Sequence, residues 1–209
     1  MTMPKTYYML VDCESTNKRY CLDLGFYILD SKGAINFKKH IVVAEIARFP
    51  LFSNKHNPDY QSRNQFYKKL EMLQSNHYDK MKIREINRLF NYINNRFNPI
   101  FCAYSISADL GFLQKTGIET DIFKRRFCLL RHAKKVLGNS PSYARFCLEN
   151  GFLTPTGKLS FTAQTVGRYI YNNPKFIERH TSYHDLVLER DIFIYLQRQK
   201  KAKDIKMID

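Results

Sequence analysis

Several features are scarce in this chain. Nowhere in its 209 residues is there a run of about 18 apolar positions, and the start "MTMPKTYY" lacks the charged-then-apolar order of a secretory signal. Neither a membrane-spanning helix nor export is expected, so the chain reads as a soluble, cytoplasmic protein with no membrane partner. Cysteine is sparse and unpaired in pattern: Cys13, Cys21, Cys102, Cys128 and Cys147 are odd in number and never spaced CxxC. That excludes a disulfide framework and a zinc knuckle, and leaves five reduced packing residues. No internal repeat or low-complexity segment occurs. Acids are short as well, since 19 Asp and Glu against 34 Lys and Arg leave a formal charge of +15. Polyanions are the natural partners of such a chain. Its positive charges stand among aromatics, in "FYKKL", "FKRRF" and "GRYIYNNPKF", rather than along one amphipathic helix, which favours nucleic acid over a membrane surface. The plain alternative is a solvated positive face.

What is present can bury one core, with 44% hydrophobic and 14% aromatic residues in a length suited to a single domain, 1–209. "TYYMLVDC" and "YCLDLGFYIL" are β-branched and aromatic runs, and "DSKG" is a turn leading to "AINFKKHIVV". Together they predict an antiparallel three-stranded meander. From about 46 to 80 the pattern loosens around prolines and asparagines, and we read a loop or lid-like insertion there. "MKIREINRLFNYINNRF" then sets Ile83, Ile86, Leu89, Phe90 and Ile93 on one helical face ahead of Pro99. "PIFCAYS" predicts a buried strand beside the first, and "ADLGFLQKTG" a helix stopped by Gly117. The remainder reads as mostly helical, with a basic tail from about 198. Strands followed by helices alternating with further strands indicate an α/β domain with a mixed central sheet.

The scarce acids fall at element ends. On a strand, Asp12 and Glu14 point to the same face while Cys13 points away, so two like charges sit side by side. A divalent cation relieves that repulsion, and oxygen ligands suit Mg²⁺ or Mn²⁺. An edge strand facing water is the plain alternative for a DxE pair. Asp109 follows the buried strand and opens a helix, where it is either a dipole partner or a ligand aimed at the sheet end. Asp185 lies in the first turn of a helix whose Leu186, Ile192, Phe193 and Leu196 face the core. Its structural alternative is a capping box begun by Ser182. His180 stands just before that helix and His184 inside its first turn.

In this order the segments resemble the DEDDh family of 3'-to-5' exonucleases, the DnaQ-like branch of the ribonuclease H-like superfamily. "MLVDCEST" is similar to the family's first motif, "FCAYSISADLGFL" to its second, and "HTSYHDLVLERDI" to its third, His-x4-Asp. The position four before Asp185 is Thr181, so the tyrosine branch fits less well than the histidine branch. "YARFCLENGFLTPTGKLSFTAQTVGRYI" resembles uncharacterised phage and bacterial members. The likeness extends over nearly the whole chain apart from 46–80. Ser105 and Ala108 stand where the second motif commonly has Asn and Phe, and a serine can pin that loop only in part.

The resemblance implies a ribonuclease H-like fold and two divalent cations, Mg²⁺ or Mn²⁺, held by Asp12, Glu14, Asp109 and Asp185, with Asp12 bridging both. It implies His180 as general base and hydrolysis of single-stranded 3' ends, DNA favoured, to 5'-mononucleotides. Glu14, Ser15 and Thr16 would recognise the terminal 3'-hydroxyl. Tyr104 and Ser105 would contact substrate, with Tyr104 and Phe112 as candidate stacking platforms, although Phe112 reads better as core. The alternatives are a 3'-to-5' exoribonuclease or oligoribonuclease, and a non-catalytic nucleic-acid-binding or polymerase-associated module docked through 46–80. Related nucleases are often homodimers, but nothing here requires one. Expression from a phage in a bacterial host fits the likeness.

Overall fold

Strand β1 (Tyr7–Ser15) has both faces covered. Tyr8 and Leu10 look into one core, and Met9, Val11 and Cys13 into the other, which is why its sequence is almost continuously apolar. The computed structural model describes residues 5–16, 19–47 and 77–199. Within them β2 (Cys21–Asp30) and β3 (Ile35–Val43) complete the predicted antiparallel meander. Its β2–β3 turn is closed by Asp30, whose Oδ1 accepts from the amides of Lys32 and Ala34, each at 2.9 Å. Gly33 supplies the positive φ of 82° that the turn requires.

After the short helix α1 (Ala44–Ala47), strand β4 (Asp79–Met81) adds to β3 in parallel. Helix α2 (Ile83–Phe97) starts where Glu45 accepts from the Ile83 amide and Glu85 from the Lys82 amide, and it stops at the left-handed Asn98 before Pro99. Strand β5 (Ile100–Ala103) is buried beside β1, as predicted, in parallel with it, and leads into α3 (Ile106–Thr116), capped by Gly117. Strand β6 (Arg126–Cys128), parallel to β5, is followed by α4 (Leu129–Leu137), α5 (Pro141–Glu149), α6 (Ala163–Ile170) and α7 (Ser182–Arg198).

The result is a six-stranded mixed sheet in the order β4-β3-β2-β1-β5-β6. Helices α2 and α3 supply Ile86, Phe90, Ile93 and Leu113 to one face, while α4 to α7 cover the other. The α/β expectation therefore holds. Of the insertion read at 46–80, residues 48–76 lie outside the described residues, as does the tail beyond 199; the described part of the insertion contributes β4, a strand too short for its local pattern to announce. All five cysteines are free and buried, as expected of packing residues. No helix among the described residues is long and apolar enough to cross a membrane.

Helix α7 lies against the meander at very short range. A Cβ on Gly25 would come within 2.6 Å of a Leu186 methyl and 2.8 Å of the Ser182 hydroxyl. At the far end of the contact, Arg190 Nε donates to the Gly33 carbonyl at 2.8 Å. Gly25 is the register partner of Asp12, so the helix meets the sheet beside the first predicted site residue. Replacing Gly25 with Ala should cost about 1–3 kcal/mol through overpacking. Chemical denaturation measures this, and a change below a few tenths of a kcal/mol would mean that α7 can simply shift.

Candidate functional site

Asp12 and Glu14 project from the carboxyl end of β1 on the face covered by α7, in line with Tyr8 and Leu10. A register shift follows Glu14, so β1 leaves its pairing with β2 just beyond the two acids. Asp109 comes from the first turn of α3, which is separated from the neighbouring parallel strand β5 by only Tyr104 and Ser105. Ligand sites in open α/β sheets lie at such carboxyl ends.

The third contribution is the start of α7, and it is fixed by an acid that the sequence reading passed over. Asp23, buried on β2 and opposite Glu14 in register, accepts from the Ser182 amide at 3.0 Å and from the Ser182 hydroxyl. Ser182 is therefore the anchor of the helix and not its cap, contrary to expectation. The cap is Thr181, whose hydroxyl accepts from the His184 amide. Arg179 can only donate, so the 3.0 Å contact to His184 Nε2 makes that nitrogen the acceptor, and Nδ1–H donates to the Thr181 hydroxyl at 2.9 Å. His184 is thus occupied in the cap, and Asp191 accepts from the Tyr171 hydroxyl at 2.8 Å. His180 is different. It is exposed, with a left-handed φ of 54° that turns the chain immediately before the helix.

This geometry brings Glu14, His180 and Asp185 together, with one ligand atom from each lying within 4.8 Å of the others. Asp12 and Asp109 are not members of that tight trio, but both are charge neighbours of its acids. Two further acids join them. Glu189, one helical turn beyond Asp185, is buried beside Asp12, and Glu178 lies beside His180 and Glu14. Oδ2 of Asp12 and Oε2 of Glu189 are buried with no hydrogen-bond partner among the described residues.

Asp12, Asp109, Glu178, Asp185 and Glu189 are pushed toward their neutral forms, in each case chiefly by loss of water. Burial, with Glu178 and Glu14 close by, raises Asp185 to about 8. Burial raises Asp109 to about 7, against the opposing pull of backbone amides, the first being that of Cys13. Asp12 and Glu189 are raised well above the carboxylate range, by burial and then by Glu189 and Asp109 respectively. Six carboxyls, Asp12, Glu14, Asp109, Glu178, Asp185 and Glu189, thus interact in one place in a chain that has few acids.

The predicted substrate contacts are placed unequally. Ser15 remains half-exposed, whereas Thr16 is buried and its hydroxyl accepts from the Tyr20 amide at 3.2 Å. Tyr104 is buried with its hydroxyl donating to the Phe161 carbonyl at 2.6 Å, and Ser105 precedes α3 with its side chain unused as a cap. Phe112 packs against the core, as expected. Glu189 was readable after all, because it lies three residues after Leu186 and four before Phe193, an acid in the middle of an apolar helical stripe.

A scan against protein-family models and a search of curated proteins return no match for this chain.

Acids that ionise with difficulty when folded make stability fall as pH rises. With Asp109 at about 7 and Asp185 at about 8, against an ordinary 3.8, the folded chain holds more protons than the unfolded one between these limits. The stabilisation is fully present below the ordinary value and is lost as pH passes 7 to 8. Metal-free protein should therefore melt lower at pH 8.5 than at pH 6.5, since Asp109 and Asp185 give up within this window the protons that favour the fold. Glu189→Gln should flatten the decline. A melting temperature that stays level or climbs across this window in EDTA would contradict the repulsion between these acids.

Proposed function

We propose that this protein is a metal-dependent 3'-to-5' exonuclease of the DEDDh type, with a ribonuclease H-like fold, acting on single-stranded nucleic acid and favouring DNA. The observation that carries this reading is the Glu14–His180–Asp185 cluster beside the orphaned buried oxygen of Asp12. A mixed sheet built on an antiparallel meander, with the acids at the carboxyl ends of β1 and β5, supports the fold assignment.

The residues fit a pair of hard cations. An oxygen donor set this crowded is stable in its ionised form only with positive charge among it, and Mg²⁺ or Mn²⁺ suit carboxylate oxygens. Asp12, Glu14, Asp109 and Asp185 would hold the ions, and Glu189 would add negative charge behind Asp12. Bound cations of this kind activate water and offset charge on the leaving oxygen of a phosphodiester.

The chain's own groups supply the rest. His180, at the exposed edge of the cluster, takes the proton from the water that attacks phosphorus. Glu178, whose charged form His180 favours, lies where it would hold the resulting imidazolium in place. Thr181 and Ser182 fix the helix end from which His180 projects, so the base is oriented by the cap and by Asp23. Breakage of the bond to the 3'-oxygen then releases a 5'-mononucleotide.

Incubating 5'-labelled single-stranded DNA and RNA with Mg²⁺, Mn²⁺ or EDTA should give a metal-dependent ladder shortening from the 3' end, faster on DNA. Asp12→Ala should abolish it without unfolding the protein. His180→Ala should reduce the rate by roughly 10²- to 10⁴-fold, the range for loss of a general base, and His184→Ala should change it little. Near-wild-type cleavage by Asp12→Ala would remove that residue from the centre, and reversed roles for the two histidines would overturn the reading of the third motif.

A further inference from the structure

A cleft of about 780 Å³ opens at Tyr104 and Ser105, the turn that joins β5 to α3, a size usual for ligand sites. One wall is the Tyr104–Ser105 turn, the floor is apolar through Leu130, Leu159 and Phe161, and Lys134 and Lys158 stand at its edge. No carboxylate contributes to its lining, although the candidate site is crowded with them. Both lysines are exposed, one from the last turn of α4 and the other from the loop closed by the Leu153–Leu159 bridge.

Two connections run from this cleft to the acids, one along the chain and one through a hydrogen bond. Ser105 is followed by α3, whose Asp109 lies one turn on, about 6 Å along the axis. On the opposite wall Thr162 and Ala163 open α6, whose Gln164 side chain accepts from the Glu178 amide at 2.9 Å. The cleft is thus tied to the elements that carry Asp109 and Glu178. An apolar lining with two cations matches a unit that has an aromatic face and an anionic link.

We propose that this cleft is a subsite for a nucleotide of the bound single strand upstream of the one being removed, its base against the Leu130, Leu159 and Phe161 floor and its phosphates against Lys134 and Lys158. The assignment rests on the exonuclease reading, and it gives that enzyme a reason to grip strands longer than a dinucleotide. Affinity gained here depends on chain length and salt but not on base identity, since an apolar floor accepts every base.

The test uses the full chain with Lys134→Gln and Lys158→Gln combined, both exposed and outside the catalytic cluster. Fluorescence anisotropy with 5'-labelled oligo(dT) of two to eight nucleotides, in EDTA, reads binding alone. Hydrolysis of thymidine 5'-monophosphate p-nitrophenyl ester with Mn²⁺ reads the chemistry alone. Wild-type protein should bind better as length increases, and the double variant should lose most of that gain. Its log–log salt slope should fall by about 1.4, the value for two phosphate contacts on a single strand. Ester hydrolysis should be unchanged. Equal length dependence and salt slope in both proteins would overturn the subsite. Loss of binding in the variant without ester or strand cleavage by either protein would retain the subsite and overturn the nuclease. No length-dependent binding by wild type overturns the subsite, whatever the ester result.

Discussion

Asp23 accepts from both the amide and the hydroxyl of Ser182, and whatever α7 brings to the site is positioned from that point. The pairing joins residues 159 apart in the chain and places the first turn of the last helix over the end of the first strand. Gly25 makes the approach possible by leaving no side chain where Leu186 and Ser182 must sit. From this seat the helix directs Asp185 toward Glu14, carries Glu189 beneath it toward Asp12, and leaves His180 on the preceding turn at the solvent edge. A carboxylate that receives two hydrogen bonds holds an anchor more rigidly than a single neutral contact would. Rigidity here matters because the groups it aligns repel one another.

The cost of holding these groups charged is substantial. Burial, and then Glu178 and Glu14, raise Asp185 from 3.8 to about 8, which at about 1.4 kcal/mol per pH unit is about 6 kcal/mol against ionising that one side chain. Such a cost is comparable to the whole stability of a modest domain. Two large apolar cores, one on each face of the sheet, offset it. The fully buried Phe26, Phe90, Phe101 and Phe123 stand on one side, and Tyr143 and Phe193 on the other. Aromatic side chains of this size are the strongest single contributors to burial energy, and here they back the strands that carry the acids.

Much of this arrangement is legible from the chain because local pattern and tertiary demand agree. The meander, α2, β5 and α3 are each long or strongly apolar, and their turn and cap residues point the same way. Strands β4 and β6 have only three residues apiece and exist because β3 and β5 offer them edges, which no local window reveals. The cap of α7 divides between adjacent hydroxyl residues. Thr181 and Ser182 are both good caps by chemistry, and only Asp23, far away in sequence, draws Ser182 into another role. Asp12, Glu14, Asp109 and Asp185 stand out as acids at element ends. Glu189 carries a subtler signal, legible only once the helical register is drawn, when the acid falls inside an otherwise apolar stripe.

A buried carboxylate usually has a structural explanation, and Asp23 shows what one looks like here: each oxygen has a partner, and its removal would loosen an identifiable contact. Asp12 and Glu189 lack that explanation. Each keeps a buried oxygen with no partner among the described residues, and each is the other's neighbour in charge. Packing alone would favour an amide or an apolar residue at both positions, since either would remove the repulsion without losing volume. Acids kept where they weaken the fold are the mark of a site whose requirement lies outside the fold. For a cluster of oxygens crowded this closely, positive charge is the requirement that fits.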